Sequence, residues 1–545
     1  MARWATAPMD RQQIQLFCPT LDQMISPEHP VRLFDEILRG LDWSEWEACY
    51  VLVHGQPPIH PRIVGSVLLY GLSQGIRSSR RLEWAVANAL DYLWLAEGRT
   101  IDHSTVCHFR KDHAAQLKAL FRQIGRVAMH LGLVRLNQVA LDGTKLRANS
   151  SRHSTATAAT IEQRLTELDK QIEAAMAQWQ QADQQEQELF ETGGGYEHLP
   201  RKLADLRRRQ EQLRQALVAA QARAAEAPKP ESVAVSVADP EAPVAPNKEG
   251  GFAPNYTPMA TVDATAGVIV AADVLPDSDE SEALVPAVAQ VQAVCGAKPQ
   301  QALADAGFSS GPNLQAMDRQ QVEAFIPSGS RSDPQDNPAR RADLSEPVPA
   351  EQWDRLPVDR STRRLGRTAF VYEAARDVYV CPRGQALPYA RTYDKFRRKG
   401  PIPVRQYVCA TCAGCPLAGR CLSPKASRRT IDRDEHEPLR EAMDARLRSP
   451  AGRATYRLRQ WRAEGTFGVI KSVMGVRQFL LRGLANVRIE WTWIASAFNL
   501  RKLAQHLRTL GPQALQAALG QVRQAAWDLT RQAALRPTRQ AAGVR

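Results

Sequence analysis

The stretch NQVALDGTKLRANSS, residues 137–151, decides how the rest of the chain is read. Val139, Ala140 and Leu141 have the character of a buried β-strand, and the strand ends on a carboxylate, Asp142, followed by Gly143 and Thr144. Asp and Gly also begin ordinary turns, so a lone strand-end Asp carries little weight. A catalytic carboxylate needs partners, because one acid does not hold a catalytic metal pair. The pattern recurs in QALADAGF (301–308), where Ala302, Leu303 and Ala304 lead into Asp305, a small residue and Gly307.

The segments around these two motifs supply an order. PMATVDATAGVIVAADVLP (258–276) reads as a β-hairpin turning at Ala264–Gly267, ESEALVPAVAQVQAVCG (280–296) as a helix, and VEAFIPS (322–328) as a further strand. Strand with terminal Asp142, hairpin, helix, strand with terminal Asp305, helix, strand is the order of an RNase H-like α/β (α+β) fold. Its first and fourth strands lie side by side, which would bring the two acids together. A third acid should come from a helix packed on that sheet, and Glu464 in the segment 456–507 is the candidate. At about 100° per residue Lys471 falls nearly over Glu464, although a Glu and a Lys so spaced are also an ordinary exposed pair.

Composition limits the partners. The 545 residues suffice for several domains, and 71 Lys plus Arg against 58 Asp plus Glu leave a formal charge of +13, which favours a polyanion, nucleic acid first. The sequence has no apolar run near the roughly 18–20 residues of a membrane span. MARWATAPMDRQQ at the N-terminus lacks a signal-peptide apolar core, so a cytoplasmic, nucleoid-associated protein with reduced cysteines is expected.

Residues 1–130 are expected to form an N-terminal helical domain. RRLEWAVANALDYLWLAEG (80–98) and IDHSTVCHFRKDHAAQLKALFRQIG (101–125) read as two helices of a helix-turn-helix, the second capped by Asp102 or Ser104 and exposing His108, Arg110 and Lys111. A plain helical bundle with a basic face reads equally well. Core segments 136–157 and 255–328 are interrupted by residues 158–226, whose Ile161, Leu165, Leu168, Ile172, Ala175 and Trp179, then Leu199, Leu203, Leu206, Leu213 and Leu217, predict a coiled-coil hairpin turning at Gly193–Gly195. A Pro- and Ala-rich linker (227–254) follows. Residues 329–445 are an insertion, 446–507 carry the third acid, and 508–545 form a basic tail.

LDGT (141–144), LADAGF (303–308), and Tyr456, Arg459, Glu464 and Lys471 ahead of GVRQFLLRGL and ASAFNLRKL together resemble the DDE transposases of bacterial insertion sequences. HPRIVGSVLLYGL (60–72) and IDHSTVCHFRK (101–111) resemble the InsH-type N-terminal domain of one branch. The resemblance implies that Asp142, Asp305 and Glu464 bind two Mg²⁺ (or Mn²⁺) ions, and that Lys471 contacts a DNA end. It further implies transposon-end and target DNA as partners, with a homodimer in the complex. The competing readings are an inactive relic that represses by binding DNA, and a metal-dependent nuclease. The spacing departs from the family's Tyr-Arg-Glu-Lys motif in one respect: Tyr456 and Arg459 stand one residue early. On a regular helix Arg459 would lie about 140° from Glu464, leaving Arg457 as a substitute.

The insertion holds the clearest metal-type spacing. Cys409, Cys412, Cys415 and Cys421 in YVCATCAGCPLAGRC, with Cys381 in YVCPRG, are five candidates for the four places of a structural, zinc-ribbon-like Zn²⁺ site, and the resemblance extends to this block. From Arg383 to Arg429 there are eleven Lys or Arg against one acid, Asp394, with Tyr393 and Phe396 interleaved, as expected of a phosphate-contacting surface.

Overall fold

The structure, a computed structural model, describes residues 19–50, 57–188, 198–246, 250–328, 334, 336–359, 361–397 and 400–534. Its chain divides into two compact units: residues 1–131, 472–475 and 492–545 form one, and 132–471 with 476–491 the other.

The first unit is helical. The reading of 80–98 as one helix is corrected, because Ser79–Asn88 ends at Ala89 in an extended conformation and Leu90–Leu95 begins again. Asn88 donates its amide to Trp84 O (2.7 Å) and Asp91 accepts from Tyr92 N (3.1 Å), so two side chains satisfy the backbone at the break. Similarly His103–Asp112 and Ala114–His130 are separate helices, interrupted at His113, whose ring packs against Trp46 and Phe109. Asp102 caps the first of these through Thr105 N (2.6 Å). The supposed tail is also corrected: Pro512–Ala534 is a helix that buries Ala518, Leu519, Val522 and Ala525, with Val522 close against Gly40.

In the second unit the core sheet has seven strands, five of them forming its central run: β1 (Gln138–Gly143), β2 (Phe252–Asp263), β3 (Ile269–Leu275), β4 (Gln301–Leu303) and β5 (Glu323–Phe325), while the short strands Leu146–Arg147 and Val244–Pro246 pair with the first half of β2. The order of the five is β3-β2-β1-β4-β5, with β2 antiparallel to β3 and β1, and β1, β4 and β5 parallel. β2 is buried along almost its whole length, as a central strand covered on both faces must be. The hairpin turn closes at Gly267, whose φ of +75° suits glycine alone, with its N–H donating to Asp263 O. Helices α1 (Leu284–Cys295), α2 (Gly311–Arg319), α3 (Pro450–Arg459), α4 (Gly465–Ser472) and α5 (Leu484–Leu507) complete this framework, α5 also continuing into the residues of the first unit. The Trp491 indole at the start of α5 donates to Met259 O (2.9 Å) on β2, fixing that end of the helix to the sheet.

The interruption between β1 and β2 is two long helices, Ala158–Glu188 and His198–Ala225, which bury Ile161, Leu168, Ile172, Ala175, Leu203 and Leu213 against one another. The turn at Gly193–Gly195 and the side chains of Trp179 and Leu199 lie outside the described residues. The linker reading of 227–254 is corrected in part, because Ala234–Ser236 pairs with Thr155–Thr157 and Val244–Pro246 pairs with β2. Extended, Pro-rich chain serves here as short edge strand, where a missing N–H is tolerated.

The insertion after β5 carries a second sheet, antiparallel and five-stranded: β6 (Val371–Glu373), β7 (Val378–Val380), β8 (Ala386–Arg397), β9 (Gly400–Val408) and β10 (Thr430–Arg433), hydrogen-bonded in that order. It has its own apolar core, in which Leu356, Leu365, Phe370, Tyr379, Leu387, Tyr407 and Ile431 are buried together with Cys409 and Cys412. Among the described residues no helix is long and apolar enough to cross a membrane.

Candidate active site

The first acid stands where β1 runs out of covered sheet. Asp142 still pairs with Ala260 of β2, but its side chain has left the buried run of Val139–Leu141. Asp305 follows β4, parallel to β1, so the two strand ends carry their carboxylates to the same edge. Asp305 caps the short turn Ala306–Phe308 by accepting from Gly307 N (2.8 Å). A Cβ on Gly307 would fall 2.9 Å from Asp305 Oδ1, so the glycine is what lets the carboxylate fold back over its own turn.

Glu464 comes from the other side. Ala463, fully buried among Ala140, Leu303 and Phe325, presses the helical segment onto β1, β4 and β5, and the neighbouring Glu464 is left half exposed beside the strand acids. Between α3 and α4 the chain does not continue as an α-helix: Gln460–Glu464 is a π-helical turn. Such a turn accommodates one extra residue, and its i to i+5 periodicity sets Arg459 beside Glu464. The expectation of about 140° between them on a regular helix is therefore corrected.

Arg459 is consequently the hub of the site. Its guanidinium lies 3.0 Å from Asp142 Oδ1, 3.8 Å from Asp305 Oδ2 and 3.7 Å from Glu464 Oε1. Three acids from three separate segments thus converge on one cation. Burial pushes the Asp142 carboxyl above its ordinary range, and the Arg459 charge opposes that rise. Tyr456, one turn earlier, is packed against the same cluster as Ala463, and burial raises its hydroxyl pKa. Lys471 donates to Thr144 Oγ1 (2.5 Å), two residues beyond Asp142. Arg457 is exposed and has no ion pair with these acids among the described residues.

A fourth carboxylate was missed by sequence reasoning. Glu280, between β3 and α1, packs against Gly143, and burial together with Asp305 and Asp142 pushes its pKa up to about 7. The glycine after Asp142 was the one signal, since it leaves room for a neighbour.

The remaining candidates are dispersed. Lys111 and His108 are exposed, but Arg110 is buried: at about 100° per residue it shares the face of buried Val106, and it donates to Arg77 O (2.8 Å). Its assignment as an exposed DNA contact is corrected. Cys381, Cys409, Cys412, Cys415 and Cys421 all line one cavity of about 270 Å³. Cys381 Sγ accepts from Arg383 N (3.3 Å) and Cys412 Sγ from Arg429 N (3.5 Å), while burial raises the thiol pKa of Cys381, Cys412 and Cys421. Among the described residues no group of three or more His, Cys, Asp or Glu side chains is already arranged to hold a metal ion. On the long hairpin β8–β9, Arg391 stacks over Tyr393 and Arg405 over Tyr389, and Phe396 near the tip is 83 % exposed.

Two family models match the chain. Residues 380–504 match the transposase DDE domain, and residues 19–112 match a transposase domain described as DUF772. The first covers β8, β9 and β10 of the second sheet, Glu464 and Lys471, and begins beyond Asp142 and Asp305. No curated protein matches the chain.

Proposed function

From a chain that belongs to the DDE transposases of insertion sequences, enzymes of the polynucleotidyl transferase type that use divalent metal, we propose a DNA transposase that cleaves and joins the terminal inverted repeats of its own element. The convergence of Asp142, Asp305 and Glu464 on one guanidinium carries the reading, because a position already shared by a cation and three hard carboxylates suits divalent cations of the same preference. Two Mg²⁺ or Mn²⁺ ions held by these acids would activate a water or a 3′-hydroxyl and offset charge on the attacking and leaving oxygens of an in-line displacement.

The chain's own residues do the positioning. In this conformation Arg459 neutralises the acids, and its side chain must withdraw from them on loading, which frees the guanidinium for a phosphate oxygen of the bound strand. Lys471, held at Thr144 beside the strand acid, offers a second cation to the same backbone. Tyr456, Arg459, Glu464 and Lys471 then serve as the family's Tyr-Arg-Glu-Lys motif with one residue added, which the π-helical turn absorbs. The exposed cations of the β8–β9 hairpin and Lys111 extend the contact to flanking DNA, with two copies of the chain holding two ends. Four of the five cysteines around the common cavity would supply the soft donors of a structural Zn²⁺ site, and the N–H bonds to Cys381 and Cys412 oppose the rise that burial imposes on their thiol pKa values.

The test is incubation of the purified protein with Mg²⁺ and DNA carrying the terminal repeats that flank its own gene. Cleavage at the repeat ends followed by joining to a target supports the reading; binding without cleavage, or cutting unrelated to the ends, overturns it.

A further inference from the structure

Glu280 is a half-buried carboxylate with no hydrogen bond or ion pair to its side chain among the described residues. Folding rarely leaves a carboxylate in that condition, since withdrawing it from water without a partner is costly. Its surroundings are specific. A Cβ placed on Gly143 would lie 2.9 Å from Glu280 Oε1 and 2.6 Å from Met259 Sδ, so the Glu280 head occupies the space that any other residue after Asp142 would fill. The charges acting on it are those of the site itself: Asp305 and Asp142 repel it, and Lys145 and Arg459 attract it. The other three acids share Arg459, while Glu280 forms no ion pair with it.

We propose that Glu280 is a fourth carboxylate of the metal site, held at the edge of β1 through the missing side chain of Gly143. This rests on the reading of Asp142, Asp305 and Glu464 as metal-binding acids. The charge balance supports it: two divalent cations bring four positive charges, and the triad offers three negative ones. Glu280 supplies the fourth, and its oxygens match the hard-donor preference of Mg²⁺ and Mn²⁺. When the cations are bound it would help to hold them, so its part would be to set their number and position rather than to touch DNA.

The experiment is a Mn²⁺ titration of the full chain without DNA, followed by electron paramagnetic resonance of free Mn²⁺, for the wild type, Glu280→Gln, Glu280→Asp and Asp142→Asn. Glu280→Gln keeps the shape and removes the charge; it should lose one bound equivalent or weaken binding at least tenfold, with an unchanged circular dichroism spectrum. Glu280→Asp keeps the charge on a shorter side chain and should fall between Glu280→Gln and the wild type, a gradation that a merely structural role would not produce. If Glu280→Gln and Glu280→Asp bind Mn²⁺ like the wild type while Asp142→Asn loses it, the triad stands and Glu280 is not part of the site. If Asp142→Asn also binds normally, the metal reading of the triad fails, and this inference with it.

Discussion

The acid cluster on the first sheet and the cysteine cluster on the second are both candidate metal sites, and they are built in opposite ways. Asp142, Asp305, Glu464 and Glu280 come from four segments and meet at a sheet edge, where one internal cation, Arg459, pairs with the first three and Glu280 packs against Gly143. The cysteines lie beside the buried core of Tyr379, Leu387 and Tyr407, and three of them have thiol pKa values raised by burial. Repulsion among the acids calls for a cation, whereas neutral thiols in an apolar surrounding do not. The difference teaches that a shared donor type is not a shared dependence: metal should decide activity at the first site and only adjust stability at the second.

The sharpest way to break this comparison is to remove the acids one at a time. Asp142→Asn, Asp305→Asn and Glu464→Gln should each lower end cleavage by at least about 10³-fold while leaving end binding within a few-fold, because each removes a charge made for the reaction. Cleavage and gel-shift assays on the same DNA separate the two quantities, and a variant that still cleaves normally is not a ligand.

At the second site the expectation is reversed. The spacing of the cysteines within a run of Arg and Lys suggests a region organised only by metal, yet the sheet has an apolar core of its own. Tyr407→Ala, which empties a fully buried position and removes one hydrogen bond to Asp377, should cost about 3–5 kcal/mol. Chelation should lower the urea midpoint of this region by less, read by limited proteolysis. Purified protein with less than about half an equivalent of zinc per chain removes the zinc reading altogether. A chelator effect larger than that of Tyr407→Ala would show that metal, not packing, holds the sheet.

What was legible in the sequence follows from which signals are local. A strand that ends on Asp and Gly shows itself by an apolar run stopping at a carboxylate, so Asp142 and Asp305 could be found, and the order of elements placed them side by side. Glu464 lies on no such strand, and it was singled out by its place with Tyr456, Arg459 and Lys471 in a pattern that resembles the family's motif. Arg459 was misjudged because angular arithmetic assumes about 3.6 residues per turn, and nothing in RLRQWRAEG announces a π-helical turn. Glu280 was hidden among Asp277, Asp279 and Glu282 in DSDESE, four acids of which only the fold selects one. Arg110 illustrates the converse: it looked exposed by residue type, and the face it shares with Val106 buried it.

The π-helical turn offers a smaller test. If it exists to absorb one residue, deleting exposed Trp461 should convert it to an α-helical turn and keep the Arg–acid pairing. Cleavage should then stay within about tenfold of the wild type, equivalent to about 1.4 kcal/mol in barrier height. A loss as large as that of Asp142→Asn would mean that the turn or the indole itself takes part.

The mildest effect expected is on stability against pH, and it isolates Glu280 without DNA or metal. Its ordinary carboxyl pKa of 4.5 is pushed up to about 7 in the fold, first by burial, then by Asp305 and Asp142, against the opposing charges of Lys145 and Arg459. Between those two values the unfolded chain has already released the proton that the folded chain still holds. Stability therefore falls as pH rises from about 4.5 to about 7, and levels off above. Asp142, also raised by burial, tilts the curve in the same direction in every variant that retains it, so the wild type must be compared with Glu280→Gln rather than read alone. The glutamine cannot ionise, so the variant should show a shallower loss over this window and unfold at a higher temperature than the wild type at pH 8 in EDTA. Because solvent reaches the carboxylate, the gain should be a few degrees at most. Adding Mg²⁺ should reverse the ranking, since the wild type then gains a ligand that the variant lacks. Equal slopes in EDTA would mean that Glu280 is solvated well enough to ionise normally, and that the crowding of acids at the edge of β1 stops at three.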